Sequence, residues 1–64
     1  MRTTKATEKF PEIEWEEMEL LERDPDERME VYNCSGVGSN GKNYSGSAYY
    51  FANIFEEIKD IQEV

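Results

Sequence analysis

Residues 11–25 read PEIEWEEMELLERDP, and the fold turns on whether this stretch is helix or strand. Pro11 suits the first turn of a helix, and glutamates behind it favour the positive end of a helix dipole. Asp24 precedes Pro25 and is pushed out of the helical region, which marks a stop. Met18, Leu20 and Leu21 share a helical face with Phe10 and Ile13, although Glu14 and Glu17 intrude on it and Trp15 lies to one side. Residues 10–15 alternate as a strand does, with Ile13 and Trp15 set against Glu12 and Glu14. The pattern predicts a helix within residues 11–23 that begins as late as Trp15.

Beyond it lies the sharpest local signal in the chain. Two strand-like runs, Met29–Gly38 and Asn43–Asn53, flank Ser39-Asn40-Gly41-Lys42. Asn-Gly is the preferred pair for a two-residue type I′ hairpin turn. That turn fixes a register in which Val37 opposes Tyr44, Val31 opposes Tyr50 and Met29 opposes Ala52 on one face. On the other, Tyr32 opposes Tyr49, Cys34 opposes Ser47 and Glu30 opposes Phe51. Gly36 and Gly46 thin out the turn-proximal half, as strand glycines do at a bulge, a bend or a close approach.

Residues 54–64 place Ile54, Phe55, Ile58 and Ile61 in one helical stripe and Glu56, Lys59, Asp60 and Glu63 in the opposite one. Asn53 and Glu56 have capping-box spacing. These features predict a second helix, with a third β-strand as the alternative because Ile58, Ile61 and Val64 are strand formers. Residues 1–7, MRTTKAT, lack periodicity and read as a disordered N-terminal tail. The expected fold is a single α+β domain over residues 8–64, of order α-β-β-α, with an antiparallel hairpin packed on one or two helices. The chain begins at Met1 without a tag-like scar and reads as a complete short gene product.

Charge is the strongest pointer to function. The net charge is −8, and ten of the fifteen acids fall between Glu8 and Glu27, opposed there only by Lys9 and Arg23. A concentrated negative surface attracts basic partners and repels nucleic acid and anionic lipid. Six glutamates from Glu12 to Glu22 would span ~16 Å if helical, one charge per ~2.7 Å against one per ~1.7 Å of duplex DNA. They lack lysines at the four-residue spacing that stabilises helices. The competing explanation is solubility, since glutamate-rich surfaces keep small domains dispersed.

Other constellations are weaker. Asp24, Asp26, Glu27 and Glu30 lack the glycine and the loop pattern of a calcium site, and read as a turn. The glycines from Gly36 to Gly41 precede a strand, whereas a phosphate loop precedes a helix. Tyr32, Tyr44, Tyr49, Tyr50 and Phe51 would suit base stacking only beside a basic groove. There is no histidine, and Cys34 and the serines lack activating neighbours, so the chain reads as non-enzymatic. No metal or cofactor is expected. A lone cysteine permits no internal disulfide, and no apolar run approaches a signal sequence or membrane span; cytoplasm is the expected compartment.

In composition the chain is similar to small phage-encoded proteins that block host factors, including anti-CRISPR and DNA-mimic inhibitors. The localised charge points to a larger protein with a basic surface as the partner, and to no direct binding to nucleic acid or membrane; the resemblance implies that such binding would be inhibitory. The expected contact residues are Glu12, Glu14, Glu16, Glu17, Glu19 and Glu22, with Trp15 and Met18 as apolar anchors. The alternative is a structural module that forms a homodimer through its hairpin.

Overall fold

Ile13 and Trp15 are buried while Glu12, Glu14 and Glu16 between and around them are exposed, the period-two signature of a strand. The computed structural model describes residues 2–64 as five strands: β1 (Arg2–Thr4), β2 (Ile13–Asp24), β3 (Met29–Gly38), β4 (Asn43–Phe51) and β5 (Ile54–Glu63). All neighbours are antiparallel in the order β1-β2-β3-β4-β5, a meander curled into a half-barrel. The described residues contain no helix, so the fold is all-β and the α+β expectation is overturned. Residues 54–63 take the strand alternative. Within the stretch read as a tail, Arg2–Thr4 form β1, while Met1 lies outside the described residues.

Bulges explain why both long strands look helical. The β2–β3 register shifts between Glu17 and Glu19 and again between Leu20 and Glu22, so Met18 and Leu21 are the extra residues. Each extra residue reverses the alternation beyond it. The β2 residues facing the same side as Gly38, Gly36, Cys34, Tyr32 and Glu30 are therefore Ile13, Trp15, Glu17, Leu20 and Arg23. Spacing of two becomes spacing of three. In β5 the shifts fall at Glu56 and around Asp60, whose φ is +56°. Phe55, Ile58 and Ile61 consequently all pack on the core, again at spacing three. A three-residue repeat is what a helical stripe also shows.

The hairpin sits where the sequence places it, but its register differs by one residue. Gly36 opposes Tyr44, and Val37 opposes Asn43. In this turn Gly41 has φ of +82° and Asn40 does not join it at positive φ. The Gly38 amide donates to the Lys42 carbonyl at 2.8 Å, and the Gly41 amide to the Gly38 carbonyl at 2.9 Å. This is a three-residue loop ending in a left-handed glycine. Asn40 supports it: its side-chain oxygen accepts from the Lys42 amide at 3.0 Å, and its amide donates to the Tyr44 hydroxyl at 3.0 Å. The extra loop residue turns Tyr44, Gly46, Ala48 and Tyr50 to the same side as Cys34 and Gly36. The two-residue geometry occurs elsewhere. Ala52 and Asn53, at φ +50° and +66°, join Phe51 directly to its pair Ile54.

Ile13, Trp15, Cys34, Tyr44 and Ala48 form the core on the concave side. Trp15, 1% exposed, lies across two glycines. A β-carbon on Gly36 would come within 2.7 Å of the indole and 2.6 Å of Ile13, and one on Gly46 within 3.1 Å of the indole and 2.9 Å of Ile58. The glycines of β3 and β4 are thus the bed on which the largest side chain rests.

Gly36→Ala should lower stability by about 1–3 kcal/mol through overpacking, measured as a fall in the urea midpoint. Ala52→Asn should raise that midpoint, because asparagine tolerates the left-handed backbone that costs alanine about 1 kcal/mol.

Candidate acidic interface on the second strand

The expected contact residues separate into three groups once β2 is a strand. Glu14, Glu16, Glu19 and Glu22 are register partners of Val37, Ser35, Asn33 and Val31, all on the convex face. Glu12 precedes the strand and joins Glu14, Glu16, Ser35, Val37 and Ser39 around a shallow groove of about 480 Å³. The bulge at Met18 is what turns Glu19 outward, since unbroken alternation would send it the same way as Glu17. Bulging keeps the acids on one side.

Glu17 is the exception, paired in register with Cys34 on the concave face. Trp15 is core and is not available as an anchor for a partner. Met18 is 60% exposed and does offer apolar surface, as do Leu20 and Leu21 at 43% and 55%. A helix would have buried both leucines in its apolar face, so their exposure is a second correction.

Among the described residues the ion pairs are Arg23–Glu30, Lys42–Glu63 and Lys59–Glu57. None involves Glu12, Glu14, Glu16, Glu17, Glu19 or Glu22. The convex acids are therefore without an ion pair among the described residues, while Glu17 shares a concave cluster with Arg2. The spacing of the row has changed, however. As a strand with two bulges, Glu12 to Glu22 covers about 26 Å, roughly one charge per 4.4 Å. That is sparser than duplex DNA at ~1.7 Å per charge. The row alone does not reproduce duplex charge density.

A second polar cluster, which no pattern in the sequence announces, lines the concave face. Arg2 reaches from β1 to place its guanidinium carbon 3.5 Å from the centre of the Phe55 ring on β5, and donates to the Tyr50 hydroxyl at 3.3 Å. Its Nε is buried and has no hydrogen-bond partner among the described residues. Tyr50 stands edge-on to both Tyr32 and Phe55, with centroids 5.4 and 5.7 Å away. Thr4 holds β1 from the other side, its hydroxyl accepting from the Trp15 indole at 2.9 Å. Arg2 thereby links the first strand to the last across the mouth of the half-barrel. Its signal, one arginine in a polar tail, gave no hint of this.

Two ionisations on this face are suppressed. The Tyr50 hydroxyl is pushed above its ordinary value, first by hydrogen bonding to the Glu17 carboxylate and then by burial, with Arg2 opposing. Burial pushes the Cys34 thiol up, and the negative charge of Glu17 adds to this. Asp24, one of the turn acids, serves the fold itself. It accepts from the amides of Asp26 and Glu27 at 3.1 and 3.3 Å and so closes the link from β2 to β3. No group of three or more metal-ligating side chains occurs among the described residues.

No protein-family model, characterised protein or solved structure matches this chain.

The raised Cys34 thiol fixes the sign of an alkaline effect. The unfolded chain releases its proton near the ordinary value of 9.0 while the folded chain retains it. Stability is then full below that pH and declines above it as the unfolded state is favoured. The urea midpoint should fall between about pH 8 and pH 10, and Cys34→Ala should fall less steeply over the same range.

Proposed function

We propose that this protein is an acidic, non-catalytic binding module that occupies a basic, nucleic-acid-binding surface on a larger protein. The observation that supports this reading is the convex row of Glu14, Glu16, Glu19 and Glu22, extended by Glu12, with no ion pair to any of them among the described residues. A carboxylate row without internal partners keeps its full attraction for an external cation. The partner is recognised by charge along a convex strand and not by duplex-like charge density, which the row lacks. Met18 and Leu21, exposed at the two bulges, supply apolar contact within the same strand.

The other reading, self-association through the hairpin's spare face or free edge, meets a geometric obstacle at the edge. Both edges of the β3–β4 hairpin are already paired, to β2 and to β5. The proposal takes cytoplasm as the compartment, in keeping with a single buried thiol. No helix among the described residues is long and apolar enough to cross a membrane.

Affinity for a captured partner should weaken by about tenfold or more between low and high salt, as expected of charge-led association. Changing Glu14, Glu16, Glu19 and Glu22 together to Gln should cost roughly 0.2–1 kcal/mol per residue in affinity while leaving the thermal midpoint near its original value. Salt-independent affinity would overturn the proposal. Calorimetric titration at several ionic strengths makes the measurement.

A further inference from the structure

The meander ends in an unequal pair of edge strands. β1 is three residues long and covers β2 only from Ile13 to Trp15. Among the described residues no strand pairs with the outer edge of β2 from Glu17 to Asp24. With its two bulges that edge spans six register positions, about 20 Å of strand and enough for a partner strand of about six residues. An open edge of this length presents unpaired amides and carbonyls and is a ready template for another strand.

From this edge we infer a β-strand docking site that takes an extended basic segment of a partner protein, added antiparallel beside Glu17–Asp24. The inference rests on the acidic-module reading and specifies how the partner would be held. Charge decides the occupant. Residues 17–24 carry Glu17, Glu19, Glu22 and Asp24 with Arg23 as the sole cation, and Arg23 already donates to Glu30 at 2.7 and 2.9 Å. A strand laid here sets its side chains about 5 Å from those carboxylates, where opposite charges stabilise and like charges destabilise. Arginine or lysine answers Glu19 and Glu22 on the convex side, and apolar residues answer the exposed Met18, Leu20 and Leu21.

A second copy of the chain is the wrong occupant. Pairing two β2 edges doubles the carboxylates on a segment whose one cation is committed. The glutamates thus oppose self-pairing while favouring a basic strand.

The protein carries its own precedent. β1 is an antiparallel segment on the same edge of the same strand, and its arginine finds an aromatic ring while its threonine meets the Trp15 indole. Its neighbourhood, residues 1–7, has a charge of +2. A short basic strand is what β2 already accepts in cis. Strand addition of this kind draws affinity from main-chain hydrogen bonds and specificity from alternate side chains.

Two capped octapeptides test this: one of alternating arginine and valine, the other of alternating arginine and proline. Both carry the same charge, but proline removes amide donors and cannot hold the ladder. Calorimetry should find the arginine–valine peptide bound at least about tenfold more tightly. Hydrogen exchange should show new protection confined to amides within residues 17–24. Equal affinity for both peptides would overturn strand addition and leave charge-led capture standing. Binding of neither at low salt would overturn both readings. A glutamate–valine peptide that binds equally well would overturn the basic occupant, and a concentration-dependent dimer protecting the same amides would assign the edge to a second copy.

Discussion

The contact on which everything else depends is the Trp15 indole lying flat across Gly36 and Gly46. A chain of this size buries little surface, its single cysteine allows no internal disulfide, and no metal cluster occurs among the described residues. One large ring must therefore bridge three strands, and it can do so only where the facing strands have no β-carbons. The glycines that weaken β3 and β4 as isolated strands are the condition for the sheet to curl over the ring. Ile13, Cys34, Tyr44, Ala48 and Ile58 complete the enclosure. The indole N–H, which would be costly to bury unpaired, reaches Thr4 and so recruits β1.

Curling has a second requirement, because β2 and β5 are long strands wrapped around a small core. Bulges bend a strand and increase its twist, and the paired shifts in β2 and β5 do this on both flanks of the central hairpin. They also decide which side each later residue faces. In β5 they turn Phe55, Ile58 and Ile61 all inward. In β2 the bulge at Met18 turns Glu19 outward beside Glu14 and Glu16, the one at Leu21 restores the original alternation so that Glu22 faces outward too, and Glu17, ahead of both, stays on the concave face near Tyr50 and Cys34. The same irregularity that shapes the core sorts the acids.

The electrostatic character of the molecule follows from that sorting. Acids on β2 have almost no internal cations to meet, because the available ones are used elsewhere. Arg23 holds Glu30, Lys42 and Lys59 lie beside acids near the end of the chain, and Arg2 is drawn onto Phe55. The result is a strand with a fixed negative convex face and one edge unpaired. Repulsion among its own carboxylates guards that edge against identical copies, which is how natural sheets protect exposed edges.

Read alone, the sequence determined the position of the central hairpin, the turn at Asp24-Pro25, and the concentration of charge between Glu8 and Glu27. These are local properties: a proline's fixed dihedral, a glycine's freedom and a count of charges need no distant partner. It also held the alternation of Ile13 and Trp15 that marks the start of β2. Only the tertiary structure decided that residues 13–24 and 54–63 are strands, that the hairpin register is shifted by one, and that Trp15 is core while Leu20 and Leu21 are exposed. Met18, Leu21, Glu56 and the region of Asp60 become bulges only because neighbouring strands offer too few partners. A bulged strand repeats every three residues, as a helix nearly does. Which of the two forms depends on the sheet beside it.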